Sequence, residues 1–83
     1  MPILQPRYSS TEFSQRGTAI YERKVRSLLT TQDMGKFVAI DIETEAWELD
    51  TDDYTATERL LQRVTDAQIW LMSAGSRATY RIL

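Results

Sequence analysis

The 83-residue chain contains no cysteine and no histidine. The first absence excludes a disulfide framework and thiolate metal ligation. The second removes the commonest metal ligand and the commonest general base together. Ser9, Ser10, Ser73 and Ser76 therefore have no histidine to activate them as nucleophiles. Three glycines, scattered at positions 17, 35 and 75, do not make a phosphate-cradling loop. No apolar run approaches the roughly 20 residues that span a bilayer. The start, MPILQPRY, has neither the cationic region nor the long apolar region of a signal peptide. These absences lead us to expect a cytoplasmic, non-enzymatic protein with no cofactor, no metal and no membrane contact.

What remains is ordinary for a small folded domain: 42% hydrophobic and 27% charged residues, with a net charge of −2. A chain this short builds a thin core, so a large apolar face must be covered by another element, a second copy or a partner. Charge is unevenly placed. Residues 1–36 hold six basic and three acidic residues, net +3, and residues 37–83 hold four basic and nine acidic ones, net −5. Such a chain can pair with itself head to tail or face a charged partner.

Pro2 and Pro6 forbid regular helix in residues 1–8, which read as a flexible arm ahead of a single domain over 9–83. Ser9 and Glu12 have the spacing of a capping box. From there Phe13, Gly17, Ile20, Tyr21, Val25, Leu28 and Leu29 recur at helical steps, which predicts an amphipathic helix ending near Leu29. Thr30 to Asp33 favours a turn, and Gly35 can take a positive φ. Lys36–Ile42 alternates as a strand, with Val38, Ile40 and Ile42 on one side and Phe37, Ala39 and Asp41 on the other. Glu43–Ala46 reads as a reversal and Trp47–Asp50 as a short strand. The acids from Asp50 to Asp53 suit a helix start, and the second helix should run to about Val64 with Tyr54, Thr57, Leu60, Leu61 and Val64 inward. Gln68–Met72 and Arg77–Leu83 complete the strands around a reversal at Gly75.

The expected fold is therefore α+β, in the order α-β-β-α-β-β, with a four-stranded, mostly antiparallel sheet. The order 2-1-3-4 is favoured because the first strand is apolar on both sides, with 1-2-3-4 as the alternative. One helix covers one face of such a sheet. The other face, holding some of Phe37, Ala39, Trp70 and Met72, must meet the first helix or another molecule. Phe13, Ile20, Tyr21 and Leu28 on the helix, with Trp70 and Met72 on the sheet, are the candidate partner-binding residues, and a homo-oligomer or a protein partner is the expectation.

Three patterns suggest chemistry. Phe37 to Thr44 is an apolar strand ending in D-x-E-T, similar to the first motif of DEDD-type exonucleases, in which Asp41 and Glu43 would hold divalent metals. The further motifs are absent: Tyr54 is followed at the fourth place by Glu58, no acid follows Tyr80, and the chain is about half the length that fold requires. Asp50, Asp52 and Asp53 do not make an EF-hand, because the sixth and twelfth places from Asp50 are Thr55 and Leu61. Arg16, Arg23, Lys24 and Arg26 on the first helix could meet phosphates, but the sequence pI near 5.0 argues against nucleic acid except within a larger complex.

The runs YERKVRSLL (21–29), GKFVAIDIET (35–44), WELD-DD (47–53), ERLL (58–61), DAQIW (66–70) and YRI (80–82) resemble a group of small bacterial proteins, frequent in cyanobacteria. Those proteins are similar in having a basic helix, then G-K-x-x-A-I-D-x-x-T-G, an acidic stretch, a helix and a D-A-x-x-W/Y strand. The resemblance covers about three quarters of the chain and implies an antitoxin-like or accessory member of a two-gene cassette. It brings no catalytic motif. Glu45 stands where the group carries glycine. The alternatives are a metal-dependent nuclease-like protein using Asp41 and Glu43, and a nucleic-acid binder using the basic helix.

Overall fold

The computed structural model describes residues 7–75 and the backbone of residues 80–82. Its elements are a small α+β arrangement of two helices and an antiparallel sheet. Helix α1 (Ser10–Ile20) opens with the expected capping box: the Ser9 side chain accepts from Glu12 N–H, and the Glu12 carboxylate accepts from Ser9 N–H. The helical path then widens to a π-helical stretch, Tyr21–Val25, and tightens to a 3₁₀ turn, Arg26–Leu28. A second 3₁₀ turn, Thr31–Asp33, carries its own capping box, and Gly35 takes φ +89°.

Strand β1 (Phe37–Asp41) lies between β2 (Trp47–Asp50) and β3 (Ile69–Ser73), antiparallel to both. Helix α2 (Asp53–Arg63) carries the chain over β1 from β2 to β3. The backbone of β4 (Tyr80–Ile82) runs antiparallel along the outer side of β3, opposite Met72 to Trp70. Residues 1–6 of the expected arm, and residues 77–79 and 83 of the expected last strand, lie outside the described residues.

The two helices take opposite faces of the sheet. Phe13, Ile20, Tyr21 and Val25 pack on Val38, Ile40, Ile42, Trp70 and Met72, with Trp47 and Leu49 of β2 at the margin. On the other face Ala56 and Leu60 pack on Ala39, Ile69 and Leu71, with Phe37 at the margin. This corrects the expected grouping of Phe37 and Ala39 with Trp70 and Met72. The register sets Ile40 opposite Trp70 and Val38 opposite Met72, and directly opposed residues share a face. Within β1 and β3 alternate residues face opposite sides as expected, and Trp47 and Leu49 of β2 share the α1 face. The phase between strands depends on a connection of some length, which no local pattern specifies.

Two helix stripes are also corrected. The π-helical stretch closes with an i→i+5 bond from Arg26 N–H to Tyr21 C=O. The apolar stripe therefore advances by one residue: Leu29 is partly buried on the core while Leu28 is 65% exposed. In α2, Ala56 and Leu60 are the buried residues and Tyr54 is 68% exposed. Residues two apart do not share a helix face, so a stripe through Ala56 excludes Tyr54.

Gly17 faces the sheet where Trp70 projects, and a Cβ there would run into the indole ring. The glycine is what lets α1 approach a tryptophan this closely, despite its cost to the helix of roughly 1 kcal/mol relative to alanine.

Candidate functional site

The turn joining β1 to β2 gathers more side-chain partners from distant elements than any other feature described. Its three acids, Asp41, Glu43 and Glu45, occupy alternate positions, and each is met from a different part of the chain.

Asp41 points inward and is completely buried. Its Oδ1 accepts from the backbone N–H groups of Glu43 (3.3 Å) and Gln68 (2.9 Å). Its Oδ2 accepts from Thr44 N–H (3.1 Å) and from the Thr44 hydroxyl (2.6 Å). A carboxylate offers about four lone-pair directions, and all four are taken. The arrangement folds the turn back on β1 and ties it to the lead-in of β3. Aspartate does this because its short side chain reaches backbone donors two and three residues on. An Asp41 bound to a metal would have to surrender these bonds, so the nuclease-like reading of Asp41 and Glu43 has no geometric support. Among the described residues no group of three or more acids is placed to hold a metal ion.

Glu43 points outward to the N-terminal segment. It forms an ion pair with Arg7 and accepts from the Tyr8 hydroxyl at 3.1 Å. The Arg7 guanidinium holds the Glu43 carboxyl below its ordinary range, with Tyr8 assisting. Arg7 also donates its backbone N–H to the Gln68 side chain (2.7 Å) and its guanidinium to the Asp66 carbonyl (3.0 Å). The Tyr8 ring meets Phe13 edge-on at 6.1 Å and carries Arg16 over its face at 4.5 Å. Arg7 and Tyr8, assigned from sequence to the arm, thus belong to the packed body. Nothing in their immediate sequence announces contacts with residues 35 or more positions away.

Glu45 points to the π-helical stretch. Arg23 Nη2 lies 2.7 Å from its Oε2 and Lys24 Nζ lies 3.5 Å from its Oε1. The Arg23 hydrogen bond lowers the Glu45 pKa. Glu45 does so from φ +68°, the one positive φ at a non-glycine residue among those described. An L-residue in this left-handed region clashes with its own carbonyl at a cost of about 1–2 kcal/mol.

The remaining cations of the first helix are also engaged, Arg16 with Tyr8 and Arg26 with Glu22 at 3.0 Å. A row of phosphates would have to displace these partners. Across the sheet, Arg63 and Arg59 of α2 reach Glu48 at 3.0 and 3.6 Å, and Arg59 reaches Asp50 at 3.2 Å. Asp52 caps α2 by accepting from Thr55 N–H at 2.9 Å. The acidic stretch is therefore a helix start and an anchor for α2.

Of the six candidate partner-binding residues, Phe13, Ile20, Tyr21, Trp70 and Met72 are buried between α1 and the sheet. This corrects their placement at a surface: α1 itself supplies the cover the sheet face required. Leu28 alone of the six is exposed, and Met34, 48% exposed, stands on the same connection between α1 and β1. No family model, curated protein or solved structure matches the chain.

Proposed function

We propose that this chain is a non-enzymatic protein–protein interaction module, an antitoxin-like or accessory member of a bacterial two-gene system of the type its sequence resembles. It works in the cytoplasm, as a homo-oligomer or on a protein partner. The sheet of this proposal has four strands in the order 2-1-3-4. The observation that carries the reading is the exposure of Leu28 and Met34 on one connection, in a chain whose other large apolar residues, apart from Tyr54, are at least partly covered among the described residues. Large apolar side chains left exposed on a chain this small are candidates for a contact surface. The consumption of Asp41, Glu43 and Glu45 by internal partners supports a structural use of the acids over a catalytic one.

Light scattering tests it. The wild-type chain should run above its monomer mass of 9.6 kDa, and Leu28→Ser with Met34→Ser should return it to monomer without loss of fold. A wild-type monomer that also fails to bind the product of a neighbouring gene would overturn the reading.

A further inference from the structure

The pairing of two adjacent cations with one strained acid points to a binding site with its own internal competitor. We propose that Arg23 and Lys24 form a clamp for a carboxylate of an acidic protein segment, and that Glu45 occupies this clamp until the segment displaces it. The inference rests on the interaction-module reading and names the chemistry of the partner.

Successive side chains on a helix diverge by about a quarter turn, so no local rule directs Arg23 and Lys24 to one acceptor. They converge because Glu45 offers one oxygen to each, at 2.7 and 3.5 Å. The clamp is open to solvent: the Arg23 and Lys24 side chains are 58% and 48% exposed, and that of Glu45 is 33% exposed. An incoming carboxylate reaches the cations without opening the core. Glu45 is held there by a left-handed backbone, φ +68°, that opposes its own residue type. That strain lies in the turn backbone and stays whether or not the carboxylate is paired, so Glu45 remains at the clamp mouth. A planar guanidinium released from it is suited to a new carboxylate. Leu28 lies four residues beyond Lys24 along the same helical run and is exposed. An exposed apolar side chain on the same connection as Lys24 offers a protein segment a contact that a free anion cannot use.

The experiment is a titration of the full isotope-labelled chain with a polyglutamate peptide, followed by the resonances of Arg23 and Lys24. Glu45→Gly removes both competitor and strain, and Glu45→Gln removes the competitor's charge alone. Both should bind the peptide about two- to sixfold more tightly than wild type, the gain expected when a site held by an exposed ion pair is vacated. Adding Arg23→Gln and Lys24→Gln should abolish that gain while the spectrum stays dispersed. Equal affinity in wild type and both Glu45 variants overturns the clamp, as does a gain that survives loss of the cations. Inorganic phosphate showing the same gain where the peptide shows none overturns the acidic segment as occupant. If the titration fails while light scattering of the same wild-type sample shows an oligomer, the clamp is overturned and the interaction-module reading stands.

Discussion

The two faces of the sheet solve the same problem with different residues. The α1 face is built from large side chains, Phe13, Tyr21, Trp70 and Met72 among them, and closes over the indole only because residue 17 lacks a side chain. The α2 face is built from small ones, with Ala39, Ala56 and Ala67 around Leu60, Ile69 and Leu71. Its margin is secured by charge, through Arg59 and Arg63 on Glu48. The first face depends on shape and the second on short side chains with an ionic rim. Burial of an aromatic contributes more area but tolerates less misfit.

The largest effect should come from emptying the aromatic face. Trp70→Ala should destabilise by about 3–5 kcal/mol and Leu60→Ala, its counterpart across the sheet, by about 2–5 kcal/mol. Denaturant unfolding of the two variants checks the order, and a Leu60 variant clearly weaker than the Trp70 one would show that α2 is the dominant cover. For a domain of total stability near 5–15 kcal/mol, either loss is large.

Next is Gly17→Ala. Overpacking against the indole should exceed the helix-propensity gain and leave a net loss of about 1–2 kcal/mol. The comparison sharpens in a double-mutant cycle: combined with Trp70→Ala, the added methyl should become neutral or favourable, because the clash has gone. Additive effects would mean the two residues do not meet.

The smallest effect concerns the margin at the β1–β2 turn. Glu43 has a folded pKa below its ordinary value of 4.5, chiefly through Arg7. Its contribution to stability is therefore complete above that value and lost as pH falls through the lower folded pKa. Glu43→Gln should flatten this part of the acid limb, which melting temperatures from neutral pH down to below 4 would show. Unchanged acid dependence would place the sensitivity elsewhere, with Asp33 and Asp50, also held low by hydrogen bonds, as the next groups to replace.

Much of the fold was legible beforehand where the physics is local. Ser9 with Glu12 marked the start of α1 and the acids up to Asp53 the start of α2, because capping satisfies orphan donors within three residues. The alternation of β1 was equally plain. The candidate site was legible only in part. Asp41 and Glu43 stood out as a D-x-E pair, yet their role depends on Gln68, Arg7 and Tyr8, which sequence distance hides. The candidate interface was mostly misplaced for a related reason: an apolar residue has the same pattern whether α1 of its own chain or a partner covers it.

The sequence by itself determined where α1, α2 and strands β1 to β3 begin, which side chains share a face within those three strands, and which catalytic chemistries lack their residues. These follow from backbone periodicity and hydrogen-bonding capacity, both properties of near neighbours. The tertiary structure alone decided the phase between strands, the α1 cover, the contact of Gly17 with Trp70, and the pairing of Glu43 and Glu45 with cations far along the chain. Those depend on which surfaces meet once elements pack, and a short apolar run or a lone charge carries no address for its partner.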